Sequence, residues 1–383
     1  VRLLFTSLAT HGHMYPLLPL AVAARDAGHH VVFATADEFL PTARKAGLEA
    51  VPAGLSVRAA FGAAFAGETR QREEISTAEL DQVIASVFGD VLPRRFVTDL
   101  GALFERQRPD LVVYEAGNTG GAIAAELAGL PALSHGFGRV SQSDLGSAIQ
   151  QRMAACAAEF GIGGADFPSF GNRFIDICPE SAQAPEFKAR ANRVPLRPVG
   201  WNEPGDLPAG IADEGRSRPL IYLTLGTAMG SVPVLGEAIA GLAVLDADVL
   251  VATGPTVQVA ELGDVPANVR LEAWVPQADL LPHVDLVVHH GGSGTTLGAF
   301  GAGLPQLLLP QGADQFTNAD TVFELGVGDR LLGEQVTAEA VTEQARRLLT
   351  DESVHSAAER LAAEVAAMPT PAEVAAQLPA LAV

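Results

Sequence analysis

Two kinds of apolar run alternate along the 383 residues. Short, almost unbroken ones (residues 3–8, 30–35, 111–115, 220–225, 248–252 and 286–289) read as strands buried on both faces. Longer ones diluted with small and charged residues (17–27, 121–128, 232–245) read as helices. Pro16 suits the first turn of a helix, where its missing N–H costs little, and Gly28 suits the residue just past the end. Residues 9–15 read as loop. The alternation occurs twice, which predicts an α/β protein of two Rossmann-like domains. Each has a parallel sheet covered by helices, and the sheets face one another across a cleft. The expected layout is a first domain at 1–200, a linker rich in Pro and Gly at 201–217, and a second domain at 218–365. A tail follows at 366–383. Its packing back on the first domain is one reading, weakened by Pro371 and Pro379.

In such sheets ligands sit beyond the carboxyl ends of the strands, so the turns that follow strands are the places to look for chemistry. The most informative turn follows the run 286–289. His289 and His290 lead into Gly291, Gly292, Ser293, Gly294, Thr295 and Thr296, which open a helix. A glycine turn at a helix start aims free N–H groups and the positive end of the helix dipole at one point, a setting for an anion such as a diphosphate.

Composition narrows the partners. With 25 Lys+Arg against 45 Asp+Glu the formal charge is −20, which disfavours nucleic acid and anionic lipid. Two cysteines, Cys156 and Cys178, give no disulfide framework and fit a reducing cytosol, so a cytoplasmic protein is expected. The apolar run at the start is too short for a signal peptide, and no run is long enough to span a bilayer, so no stable membrane association is expected. No metal site is expected either. Asp246 and Asp248 make a D-x-D just before a strand, a pattern weighed against metal binding. Homodimerisation is left open.

Six segments in order carry a family likeness: T-H-G-H-M-Y-P from Thr10, F-I-D-I-C-P from Phe174, L-T-L-G-T from Leu223, W-V-P-Q from Trp274, H-H-G-G-S-G-T-T from His289 and G-A-D-Q-F-T-N-A from Gly312. Together they resemble a GT-B glycosyltransferase, in particular the actinobacterial natural-product (antibiotic) enzymes of the calicheamicin type, over essentially the whole chain. The resemblance implies an acceptor-binding first domain, a second domain that binds a nucleotide sugar, inversion at the transferred sugar, and no metal or other cofactor.

Residue by residue, the resemblance makes His13 the general base, with His11 as its competitor. An imidazole titrating near neutral pH suits the removal of a hydroxyl proton. Glu115, at a strand end, is the carboxylate expected to orient it; many relatives have Asp there, one methylene shorter. His290, Gly292, Ser293, Gly294 and Thr295 are the expected diphosphate site, with Thr227 beside it. His289 should face the other way, since side chains alternate along a strand. Trp274 is read as a platform for the pyrimidine base and Val275 as the backbone group reading its edge. Asp314 and Gln315 are expected to bind sugar hydroxyls, although Asp314 also suits a helix N-cap. Relatives that use UDP-sugars often carry a glutamate for the ribose hydroxyls where this chain has Gly298. A thymidine nucleotide has no 2′-hydroxyl, so a TDP-sugar is favoured.

The expected reaction moves a deoxysugar from TDP to a hydroxyl of a hydrophobic aglycone. Phe61, Phe65, Phe88, Phe96, Phe104, Phe137, Met153, Phe167 and Phe170 are candidates for its pocket, though most read equally as core. The charged stretch 70–74 reads as a solvated face or loop. The alternatives are a UDP-sugar-dependent transferase of the same fold, a nucleotide-sugar epimerase, and a non-catalytic nucleotide-sugar-binding or activator partner.

Overall fold

A computed structural model describes residues 1–65, 76–140, 144–163, 170–212, 215–226 and 231–381. Thr227, Phe167 and the stretch 70–74 lie outside the described residues.

The first sheet contains β1 (Arg2–Thr6), β2 (His30–Thr35), β3 (Glu49–Pro52), β4 (Leu111–Glu115), β5 (Ala132–His135), β6 (Arg173–Asp176) and β7 (Arg193–Pro195). The second contains β8 (Leu220–Thr224), β9 (Asp248–Ala252), β10 (Val269–Glu272), β11 (Leu286–His289), β12 (Gln306–Leu308) and β13 (Gly328–Arg330). Every pairing is parallel, in the orders β3-β2-β1-β4-β5-β6-β7 and β10-β9-β8-β11-β12-β13. The apolar runs explain the layering. In β8, Ile221 and Leu223 point to one face, where they pack with Val249, Val251, Leu286 and Val288 under helices Val232–Ala243 and Ala338–Thr350. Leu220 and Tyr222 point to the other, against Leu250, Val287, Leu280 and Ala299. A strand buried on both faces has no polar side to show, which is why these runs are nearly continuous.

In each sheet the strand order reverses at one place, between β1 and β4 in the first and between β8 and β11 in the second. Ligands of open α/β sheets bind outside the carboxyl ends of the strands at such a switch. His13 and Glu115 follow or close the strands at the first switch, and Gly226 and His290 follow those at the second.

The chain divides into two compact units, 1–177 with 184–196 and 369–383, and 178–183 with 197–368. The second unit thus takes in residues 201–217, where the sequence suggests a linker. Hydrogen bonds explain the borders. Ser181 N–H donates to Glu364 at 2.9 Å, Arg197 Nε donates to the Met368 carbonyl at 3.2 Å, and Asn202 accepts from Ala278 N–H at 2.8 Å. The tail forms helix Pro371–Leu381, which buries Val374, Ala375 and Leu378 and packs on helix Leu18–Asp26 of the first unit.

Residues 9–15 are not plain loop. His11–Met14 form one helical turn that continues through a tighter turn, Tyr15–Leu17, into helix Leu18–Asp26. Pro16 and Pro19, with φ already fixed near the helical value, stand at the first positions of the two later segments. No helix among the described residues is long and apolar enough to cross a membrane.

Candidate active site

In the first unit, the turn after β1 brings His13 to the end of β4. Its Nδ1 lies 3.0 Å from Glu115 Oε1, with the ring one-fifth exposed and the carboxylate fully buried. The two atoms are at ion-pair distance. The same Oε1 accepts from the backbone N–H of Gly117. An imidazole held at one nitrogen by a carboxylate can take a proton at the other and keep the resulting charge stabilised. His11 turns instead to Tyr15 and Phe39, 5.0 Å from each ring centre.

Gly117 escapes a reading of the sequence. A Cβ there would come 2.8 Å from Glu115 Oε1 and 3.1–3.2 Å from the His13 ring. Gly117→Ala is therefore expected to displace the carboxylate and lower turnover by roughly 10- to 100-fold. Its melting temperature should stay near that of the parent, since the atoms that must move belong to one side chain. Full turnover in that variant would show that the carboxylate position is immaterial.

Aromatic rings surround the imidazole. Phe137 lies 4.7 Å and Phe88 6.5 Å from it, ring centre to ring centre; Phe61 lies 6.3 Å from Phe88, and Phe65 lies 6.4 Å from Phe61. All four are partly exposed, whereas Phe96 and Phe104 are core. Met153 is buried, and Phe170 packs near Cys156. Phe88 sits on a π-helical turn, Val87–Val91, a distortion often found at functional sites.

In the second unit, helix Ser293–Ala302 starts after the glycine turn, with Gly292 as N-cap. The N–H groups of Ser293, Gly294 and Thr295 form its first turn, where intrahelical partners are lacking. His290 is packed between two glycines. Added Cβ atoms at Gly226 (φ +79) and Gly292 would each come about 2.5 Å from its ring, so neither position tolerates a side chain. Burial pushes the His290 pKa down to about 4, against the opposing pull of Asp314 and of the Thr224 carbonyl. The ring is therefore neutral at pH 7.

His289 faces into the protein and is fully buried. Its Nδ1 accepts from Gly291 N–H at 3.1 Å, which leaves the proton on Nε2, 2.9 Å from Gln306 Oε1. This neutral tautomer pins the glycine turn. Ser293 Oγ donates to Asp314 Oδ2 at 2.8 Å, and Asn318 Nδ2 donates to the Gly291 carbonyl at 2.8 Å and to Asp314 Oδ2 at 3.2 Å. Asp314 stands at the N-cap position of helix Gln315–Glu324, yet its carboxylate reaches across to the glycine turn instead of capping. The Gln315 carbonyl oxygen accepts from Gln311 and Gly312 N–H at 2.7 and 3.2 Å. Thr295 Oγ1 donates to Gln277 at 3.2 Å, a link to the W-V-P-Q segment. There Trp274 is half exposed while Val275 is core. Gln277 and Asn318, both polar residues in ordinary helical contexts, give no sequence signal of these roles.

Asp246 and Asp248 both pair with Arg218, at 3.0 and 3.4 Å, so an arginine already meets their charge.

The first part of the chain, residues 22–226, matches the family model "Erythromycin biosynthesis protein CIII-like, N-terminal domain", and residues 236–381 match the corresponding C-terminal domain. The chain belongs to this family of glycosyltransferases. It is 35% identical to the L-demethylnoviosyl transferase of Streptomyces niveus, over 98% of this chain and 97% of that one. The glycosyltransferase VinC, solved in complex with dTDP, is 29% identical with a TM-score of 0.81, covering 100% of this chain and 99% of that one. The calicheamicin glycosyltransferase CalG4, at 21% identity and a TM-score of 0.81 over 99% and 98% of the two chains, shows the shared GT-B fold.

Proposed function

We propose that this glycosyltransferase moves a deoxysugar from a TDP-sugar to a hydroxyl of an apolar natural product, with inversion and without a metal. The observation that carries the chemistry is the 3.0 Å approach of His13 to the buried carboxylate of Glu115. His13 removes the acceptor proton as the oxygen attacks the anomeric carbon opposite the diphosphate, and Glu115 stabilises the imidazolium. The departing diphosphate is met by the N–H groups at Ser293–Thr295 and by His290, fixed donors that need no reorganisation during reaction. The family resemblance adds the hydroxyl of Thr227 to this set. Trp274 offers an exposed indole face to the base, and Val275 its backbone. Asp314 and Gln315 take sugar hydroxyls. The partly exposed rings of Phe61, Phe65, Phe88 and Phe137 give the acceptor an aromatic surface next to the base.

Two observations favour thymidine. VinC binds dTDP. Gly298 stands where UDP-using relatives often carry the glutamate that binds the ribose hydroxyls, so this chain has no carboxylate there to hold a 2′-hydroxyl. TDP is expected to bind about 10-fold or more tightly than UDP by calorimetry, the cost of burying a 2′-hydroxyl without a partner. Mass spectrometry of the purified protein with panels of TDP- and UDP-sugars and aglycones tests the whole reading. Acceptors should gain a sugar mass with TDP donors; equal turnover with UDP donors would select the UDP alternative. An epimer formed from donor alone, or no turnover by a protein that binds TDP, would select the other two.

A further inference from the structure

The row of strand ends that carries Glu115 holds two more buried polar side chains that the proposed reaction does not use. Glu115 closes β4 and pairs in register with His135, which closes β5. Register neighbours in a parallel sheet share a face. On the other side, Thr6 of β1 pairs with Tyr114, and the next residue, Ser7, stays extended beside β2, its N–H bonded to the Ala34 carbonyl. Alternation puts Ser7 on the face of Glu115. All three side chains are fully buried. Each has one atom without a hydrogen-bond partner among the described residues: Ser7 Oγ, Glu115 Oε2 and His135 Nε2. Buried polar atoms are nearly always satisfied, so three at one level of a sheet demand an explanation.

Proton chemistry says what fits between them. His135 Nδ1 lies 2.6 Å from the Gly136 carbonyl, so it carries the ring proton and leaves Nε2 with a lone pair. Burial holds the ring neutral, with its pKa pushed down to about 4. Glu115 Oε2 is an acceptor as well, and two acceptors cannot bond each other. A water molecule offers a proton to each and accepts one from the Ser7 hydroxyl, the three bonds a buried water usually makes.

We propose that His135 and Ser7 hold a buried water against Glu115 Oε2, and that His135 thereby acts as a positioning residue for the carboxylate that orients His13. This rests on the reading of His13 as the base. The chain then runs His135, water, Glu115, His13 across the carboxyl ends of β5, β4 and β1. Among the described residues, the titratable groups that the fold brings to Glu115 are His13 and His135. His11 turns to Tyr15 and Phe39, and Asp176, at the end of β6, is engaged by Arg193 at 2.9 Å.

The test is His135→Leu in the full chain, read by kcat and kcat/KM across pH, with TDP affinity and melting temperature alongside. Without the anchored water, the Glu115 charge has fewer donors. The state with neutral His13 then loses more than the protonated pair, which still has the imidazolium. The acid limb of the profile should move up by about one pH unit, with TDP affinity unchanged. His135→Gln, which puts an amide near the place of Nε2, should restore most of the parent profile. An acid limb that stays put in a folded, TDP-binding His135→Leu protein overturns the proposal. Should that variant not fold, Ser7→Ala and a high-resolution crystal structure of the parent decide. A smaller shift in the same direction and an ordered water between Oε2 and Nε2 support the proposal; a dry gap or a direct contact between these atoms overturns it. Failure of the base reading looks different: His13→Ala would transfer sugar like the parent while the crystal still held the water.

Discussion

His13→Ala is expected to lose transfer by ~10²–10⁴ in kcat, the usual worth of a general base, while binding TDP as the parent does. The reason is the separation of tasks. His13 and Glu115 lie in the first unit, and the glycine turn with His290, proposed to hold the donor, lies in the second, so the substitution changes no residue of that turn. Glu115→Gln should act in the same direction but less, because an amide can still hold the ring while no longer matching its charge. His13→Ala also takes a partner from the buried Glu115 carboxylate, which keeps the Gly117 N–H, so some loss of melting temperature is expected. Steady-state kinetics with calorimetric TDP titration separates these effects. A His13→Ala protein with parental kcat would remove the imidazole from the mechanism. One that no longer binds TDP would mean that the substitution had damaged more than the base.

The second large effect is acid destabilisation. Burial pushes the pKa of His135 down to about 4, of His289 to about 3 and of His290 to about 4, from 6.5. The sign follows from linkage. Above pH 6.5 these rings are neutral in both states and cost nothing. As pH falls below 6.5 the unfolded chain takes up protons that the folded chain refuses, so stability drops steadily until the folded values are reached. Each ring carries roughly 3–5 kcal/mol at full titration, as an order of magnitude. A typical domain has only about 5–15 kcal/mol in all. His289 and His290 lie in the second unit and His135 in the first, so the second unit should lose more stability on acidification, with the loss beginning near pH 6.5. Asp110, held at about 2 by Arg2, adds to this only at lower pH still. His289 links stability to function: protonating its Nδ1 would break the bond from Gly291 N–H and release the turn that carries His290. Thermal unfolding from pH 8 to pH 4, with His289→Asn for comparison, measures the slope. A melting temperature that stays level between pH 7 and pH 4.5 would contradict the expectation.

Much of this architecture is written in local composition. Runs such as Leu220–Thr224 and Leu286–His289 are apolar on both faces because helices cover both, and that burden marks them wherever they occur. The glycine turn before Ser293 is legible for a similar reason: close packing against His290 excludes any Cβ, so the requirement is met by residue type alone. Adjacency on a strand is likewise enough to send His289 and His290 to opposite faces. Short edge strands are a different matter. Glu49–Pro52, Arg193–Pro195 and Gly328–Arg330 carry charges, prolines or glycine, and become strands because a buried neighbour offers them a ladder. Phe88 and Phe96 are the same residue type, yet one flanks His13 and the other fills the core, a choice made by how helices pack. His135 meets Glu115 through strand register, and Gly117 meets the His13 ring through the turn after β1. The chain alone thus fixes which elements form where burial or steric need is intense, and which residue types stand at the strand ends. Tertiary structure alone decides which polar atoms meet there, because those contacts join segments distant in sequence and leave no local trace.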